Sequence, residues 1–273
     1  MKKASIGNPF ISAPYVVWSA IFIIVPLLMV AYYSFTDANG NFTLDNILAL
    51  GNYKEIFLTS IGYAAVATLL SLLISYPLAY FMTKTKLSTQ STLMMLVMLP
   101  MWMNFLIRTY SWITILANTG LINTFLGKLG IGPLQLINTP GAVILGMIYN
   151  YLPYMILPIY SVMSKLDNSL LEAAGDLGSN AFSKLSRVIL PLSMPGVISG
   201  ITMVFVPSVS TFYISQKLGG GKNMLIGDVI EMQFQSSYNY NLGAALSLVL
   251  MVLILICIAI MNRFADDDGG VII

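Results

Sequence analysis

The chain has 273 residues, 57% of them hydrophobic and 9% charged, with a mean hydropathy of +0.82. A soluble domain of this size carries roughly a quarter charged residues, so the medium around most of this chain must be lipid. A net charge of +2 and no basic run beyond Lys2-Lys3 exclude nucleic-acid binding; one cysteine, Cys257, excludes a disulfide framework, and the absence of histidine removes the commonest general base and metal ligand.

Six long apolar runs predict an all-α polytopic membrane protein, a single domain over 1–273, because roughly 20 apolar residues span a bilayer core and only helices satisfy their own backbone there. In chain order the expected spans are 15–35, 61–82, 91–113, 142–163, 189–212 and 242–261. The first follows Lys2 and Lys3 but is too long for a signal-peptide core and lacks a cleavage site, so it reads as a retained helix. With both termini inside, the inner segments hold eight Lys or Arg and the outer segments four, which favours cytoplasmic termini. The outer segments 114–141 and 213–241 read as short helices broken by glycine, and the tail from Ala265 reads as solvated and disordered.

Charge is concentrated in one place. Lys165, Asp167, Glu172, Asp176, Lys184 and Arg187 all fall in the 164–188 loop, on the inner side between the fourth and fifth spans. Asp167 or Asn168 can cap a helix beginning near Ser169 and running to Leu177, with Gly178 in the position that favours a left-handed backbone. Such a helix is roughly 13 Å long. Ala173 and Ala174 let another surface approach its backbone, Leu170, Leu171 and Leu177 supply apolar contact, and Glu172 supplies charge. The piece from Ala181 to Arg187 runs straight into the fifth span, so movement of the loop moves a membrane helix.

The spacing Glu172-Ala173-Ala174, Gly178, Val188, Leu190-Pro191 resembles the EAA motif of permease subunits of binding-protein-dependent ABC importers, with valine where the family pattern has isoleucine. The segments "LPMWMNFLIRTYSW" (99–112), "LPIYSVMSKLDNSLLEAAGDLG" (157–178) and "LGGGKNMLIGDVIEMQF" (218–234) are similar to the PotB-type permeases of spermidine/putrescine importers. The resemblance implies a type I importer permease fold in a bacterial cell membrane. It implies a homologous second permease, ABC ATPase subunits gripping the loop through Leu170, Leu171, Glu172, Ala173, Ala174 and Gly178, and an extracytoplasmic substrate-binding protein. It also implies that ATP and magnesium belong to the partner ATPase, with no cofactor in this chain. Iron, thiamine or another organic cation stand as alternative cargoes; an ion-coupled secondary transporter is a further alternative, although no carboxylate lies in the six spans to carry its ion.

The remaining candidates are weaker patterns. "GGGKN" (219–223) lacks the first glycine and the Ser or Thr of a phosphate loop and reads as a flexible outer loop. Asp228 and Glu231, three apart, form either a solvated face or an outer gate. Arg108, in the outer half of the third span, shares a helical face with Asn104 and Ser111 and is expected to pair with Asp228 or Glu231. For a cationic cargo the candidate path is aromatic and hydroxylic: Trp102 and Phe105 on one face of the third span, Tyr151 and Tyr154 with Pro158 on the fourth, Ser208 and Ser210 on the fifth. Packing or an interface belt is the plain alternative for each of these aromatics.

Overall fold

The structure is a computed structural model that describes residues 9–269, without the side chains of 9–13, Asn168 and 264–269. Lys2 and Lys3 and the last four residues of the tail lie outside the described residues. The helices are α1 (Pro9–Ser19) and α2 (Val25–Ser34), joined by a π-turn, α3 (Asp45–Leu48), α4 (Lys54–Thr83), α5 (Leu87–Trp102), α6 (Phe105–Leu116), α7 (Leu121–Lys128) and α8 (Pro140–Met163). They continue with α9 (Asn168–Asp176), α10 (Ala181–Lys184), α11 (Leu190–Val209), α12 (Tyr213–Gly219), α13 (Ile226–Gln235) and α14 (Tyr240–Gly269). The only extended pairing among the described residues is an isolated bridge between Thr36 and Phe42.

Among the described residues, five helical stretches are long and apolar enough to cross a membrane, six if the bent pair α5 and α6–α7 counts as one. That pair corrects the straight third span expected over 91–113, because the chain turns by 90° between Trp102 and Phe105. The reason is local. Met103 is extended, and the Asn104 side chain accepts from the N–H groups of Leu106 and Ile107, so a new helix is capped where the old one would have continued. The tail is corrected too, since helical backbone continues to Gly269.

Two π-turns, Ala20–Ile24 and Leu185–Ile189, share one cause. Each ends two residues before a proline, Pro26 or Pro191. Proline cannot donate to the carbonyl four residues back and clashes with it. Widening the preceding turn, with Val25 N–H reaching Ala20 and Leu190 N–H reaching Leu185, lets the helix pass through unbroken.

The chain divides into two compact units. One comprises the residues up to Lys54 with Val229–Val252. Within it the Asn241 amide donates to the Thr36 carbonyl (2.7 Å) and Asn46 donates to the same oxygen (2.9 Å), which ties the start of α14 to the turn after α2. Asp37 closes that turn by accepting from the N–H groups of Asn41 and Asn39, and the Asn41 bond leads in holding its carboxyl below the ordinary value of 3.8.

The other unit, Glu55–Asp228 with Leu253–Ile273, is organised around α8. Half of the apolar stretch of α8 is buried, against none of that over Pro14–Ser34. Its main partner is α11, and two glycines explain the closeness. A Cβ on Gly196 would stand 2.8 Å from the Pro158 carbonyl oxygen, and one on Gly200 would stand 2.7 Å from Met155 Sδ and 3.2 Å from the Met155 carbonyl oxygen. Gly196 and Gly200 are four apart, the small-residue spacing that lets membrane helices meet backbone to backbone. One core, around Met155, Ile159, Ile189 and Val197, lies along this crossing; a second, around Val143, Met147, Ile214 and Leu218, lies at the N-terminal end of α8, where Gly146 leaves room for α12.

Candidate functional site

The 164–188 segment follows the C-terminal end of α8. Asp167 caps α9 by accepting from Ser169 N–H at 2.9 Å, a bond that holds its carboxyl below 3.8. At the other end Gly178 has φ +78°, Gly178 N–H reaches the Gly175 carbonyl and Ser179 N–H reaches that of Ala174. This pair of bonds is the Schellman arrangement, which satisfies the last carbonyls and stops the helix. Nothing lies within 4 Å of a Cβ placed at Gly178, so its backbone angle, not crowding, selects glycine.

Glu172 and Ala173 are exposed; Ala174 and Leu171 are half-buried. Leu170 is 47% exposed and Leu177 87%, and Phe182 on α10 is 75% exposed, a residue that sequence reasoning did not single out. Three exposed apolar side chains on and beside a capped, charged rod form a surface suited to a protein partner. Lys184 of α10 lies across α9, its Nζ 2.7 Å from where a Cβ on Gly175 would stand. From Ala181 the helix runs without a break to Val209, so the rod is joined to the crossing at Gly196 and Gly200 by one continuous element.

Behind the rod lies a cavity of about 220 Å³ lined by Tyr80, Lys84, Gln90, Met163, Leu171 and Ile189. Tyr160 donates to Gln90 Oε1 at 2.7 Å, and Gln90 donates to the Thr85 carbonyl at 2.9 Å, so α8 is strapped to the turn between α4 and α5.

Of the candidate path residues, Phe105 and Tyr151 pack against the same core, the one around Val143 and Met147. Trp102 ends α5 at 72% exposure, whereas Phe105 starts α6 beyond the 90° bend, so the two do not share a helical face. Tyr151 is half-buried and donates weakly to the Pro207 carbonyl at 3.4 Å; Tyr154 is 39% exposed. Ser208 and Ser210 donate back to the carbonyls of Val204 (2.7 Å) and Val206 (3.2 Å) of their own helix, which leaves each hydroxyl oxygen to accept from a cation.

Arg108 is 8% exposed, with its guanidinium beside the Phe105 ring at 5.9 Å and no protein partner for Nε and Nη1. Of the three residues expected to face inward, Arg108 does, whereas Asn104, the cap of α6, and Ser111 are exposed. Asp228 is 3% exposed, which rules out the solvated-face reading for it. Its carboxylate accepts from Leu225 N–H at 2.6 Å and from the Ser215 hydroxyl at 2.9 Å, while Ser60 of α4 accepts from Ile226 N–H at 2.8 Å. Two orphan donors at the start of α13 are thereby satisfied. Glu231, one turn later, is half-buried. The 219–223 loop is pinned rather than free: Gly220 and Gly221 have positive φ, Asn138 N–H donates to the Leu218 carbonyl at 2.9 Å, and a Cβ on Gly220 would overlap the Asn138 side chain.

The glycine pair of α11 was not singled out from the sequence, although its four-residue spacing was a signal; the 90° turn had only Pro100 and Asn104. Comparison with known proteins adds the family. Residues 75–266 match the family described as "Binding-protein-dependent transport system inner membrane component". The chain is 43% identical over 227 residues to the spermidine/putrescine transport system permease protein PotB of Haemophilus influenzae, covering 80% of this chain and 79% of that one. It is 41% identical to the Escherichia coli protein of the same name, over 80% and 82% of the two chains. It is 31% identical to the inner membrane ABC transporter permease protein YdcU of E. coli, over 77% and 73%. A chain from the crystal structure of a bacterial alginate ABC transporter in complex with an alginate pentasaccharide-bound periplasmic protein superposes with a TM-score of 0.76 at 17% identity, over 93% and 92% of the chains. At that identity the likeness speaks for the fold alone.

Proposed function

Because this chain belongs to the family of binding-protein-dependent transport system inner membrane components, and is a multi-pass membrane protein, we propose that it is the permease of an ATP-driven polyamine importer carrying spermidine and putrescine. The observation that carries this reading is the capped α9 with Glu172 exposed on it, joined through α10 and a π-turn to α11. The polyamine cargo is supported by the identity to the two PotB proteins.

In this mechanism both termini and α9 face the cytoplasm. An ABC ATPase subunit grips α9 and α10 through Glu172 and the exposed Leu170, Leu177 and Phe182. ATP and magnesium stay on that partner, and this chain hydrolyses nothing. When the ATPases close, α9 moves and takes α11 with it, and the close crossing at Gly196 and Gly200 passes the displacement to α8. A second, homologous permease forms the other half of the pathway, and an external binding protein delivers cargo at the opposite face. Only contacts that differ between the inward- and outward-open states drive the cycle, and the docked α9 supplies one such difference.

Two measurements test the reading. Labelled spermidine should enter proteoliposomes that contain the complete importer and ATP, and Glu172→Lys should abolish uptake while the complex still assembles. In a Cys257→Ser background, a cysteine introduced by Glu172→Cys should react with a membrane-impermeant thiol reagent in inverted vesicles and stay silent in intact cells. Labelling from outside, or undiminished uptake by Glu172→Lys, removes the coupling assignment.

A further inference from the structure

At the N-terminal end of α8, away from the coupling rod, a lysine already occupies an aromatic ammonium site. Tyr213 and Lys217 lie one turn apart on the same face of α12, and Tyr110 comes from α6, which packs against it. Lys217 Nζ sits 5.7 Å from the Tyr213 ring centroid and 5.8 Å from that of Tyr110, both within the roughly 6 Å reach of a cation–π contact. The two rings stand edge to face, 6.3 Å apart, and Phe105 packs against Tyr213 at 5.8 Å. Tyr110 is 51% exposed and Tyr213 and Lys217 are half-buried, so the rings are reachable from outside the packed core. Behind α12, Ser215 holds the buried carboxylate of Asp228, a negative charge on the far side of the same short helix.

We propose that Tyr110 and Tyr213 form a transit site for a primary ammonium group of the cargo, and that Lys217 is its tethered occupant, displaced when the cargo arrives. The idea rests on the polyamine reading of the previous section. A polyamine ends in an ammonium on an alkyl stem, and so does the side chain of Lys217; a site that holds one fits the other. The resident lysine keeps the rings covered between cycles and weakens the hold on the cargo, because an ammonium that must displace a tethered competitor binds more weakly by the fraction of time the site is free. A pathway needs that weakness, since a cargo held tightly does not leave.

The test is direct binding of labelled spermidine to the purified complete importer in lipid nanodiscs, without the external binding protein, alongside uptake by the same complexes in proteoliposomes. Lys217→Met keeps the stem and removes the competitor, and should bind spermidine about fivefold more tightly than the parent. Tyr213→Leu and Tyr110→Leu should each bind about fivefold more weakly, whereas Tyr213→Phe, which keeps the ring face, should stay within about twofold. These opposite signs separate a binding site from a packing contact, and Tyr110, being half exposed, keeps the test open if Tyr213→Leu fails to assemble. Lys217→Met binding no more tightly than the parent, or Tyr213→Phe as damaging as Tyr213→Leu, overturns the site. If the parent imports spermidine and the binding order is absent, this inference alone falls; if the binding order holds and no spermidine is imported, the ammonium site stands and the polyamine importer reading falls.

Discussion

The crossing of α8 with α11 and the rod α9 are opposite solutions to being a helix in this chain. At the crossing, Gly196 and Gly200 bring backbone against backbone, and the surrounding Met155, Ile159 and Val197 are buried. The rod has no fully buried residue with a described side chain and holds its shape through its ends, by the Asp167 cap and the Gly178 turn. One element is stable because of what it packs on; the other is shaped in advance and left uncovered. A helix of nine residues is marginal alone, so the caps matter more to α9 than to any long helix here. The same substitution therefore reads differently in the two places, as structure at the crossing and as coupling on the rod.

The largest effect should come from Gly196→Leu. Its side chain would meet the Pro158 carbonyl and Ile159 Cα, which cannot step aside, at a cost of ~3 kcal/mol or more; thermal unfolding of the detergent-solubilised complex should show it as lost assembly. Gly200→Ala should be milder, about 1–2 kcal/mol, because its nearest neighbour is the flexible Met155 sulfur. Gly178→Ala meets no atom but forces a side chain into left-handed backbone, at roughly 1 kcal/mol; faster amide exchange confined to α9, with lower uptake per ATP hydrolysed, checks it. Glu172→Lys, on an exposed site, should leave stability within about 0.5 kcal/mol while abolishing uptake. If it lowered stability as much as Gly196→Leu does, the contrast between the two regions would be wrong.

The smallest effect concerns pH. Asp167 titrates below its ordinary 3.8 because its ionised form accepts the Ser169 N–H. Its contribution to α9 is therefore complete above 3.8 and is lost as the pH falls below that value through the folded-state pKa. Amide exchange in α9, corrected for intrinsic rates, should rise on acidification in the parent and lose that dependence in Asp167→Asn, which keeps an N-cap but does not titrate.

Much of the rod was legible because its signals are local. A capping aspartate, two alanines and a glycine eleven residues after the cap specify a helix and its stop through hydrogen bonds within one short segment. Most spans were legible for a similar reason, since apolar length sets them; the third was not, because Asn104 restarts its helix. The candidate path was legible only in part, through Phe105 and Tyr151 on one core. Trp102 and Phe105 are neighbours on a helical wheel, but Asn104 restarts the helix at 90° and sends them apart. Ser208 and Ser210 donate to their own backbone, which leaves their oxygens to accept from a cation. Asp228 and Glu231 look like a pair, and burial separates Asp228 from solvent in the first turn of α13, where it accepts from Leu225 N–H.

By itself the sequence determined that this protein lives in lipid, how many apolar segments it has, and where the rod begins and ends, because hydropathy and capping act over a few residues. Only the tertiary structure decided which polar groups are spent on the fold and which aromatic rings meet. Tyr110 and Tyr213 stand more than a hundred positions apart, and the packing of α12 on α6 puts them around one ammonium. Distance through space, not along the chain, sets the strength of a cation–π or van der Waals contact, so no reading of spacing could have found them.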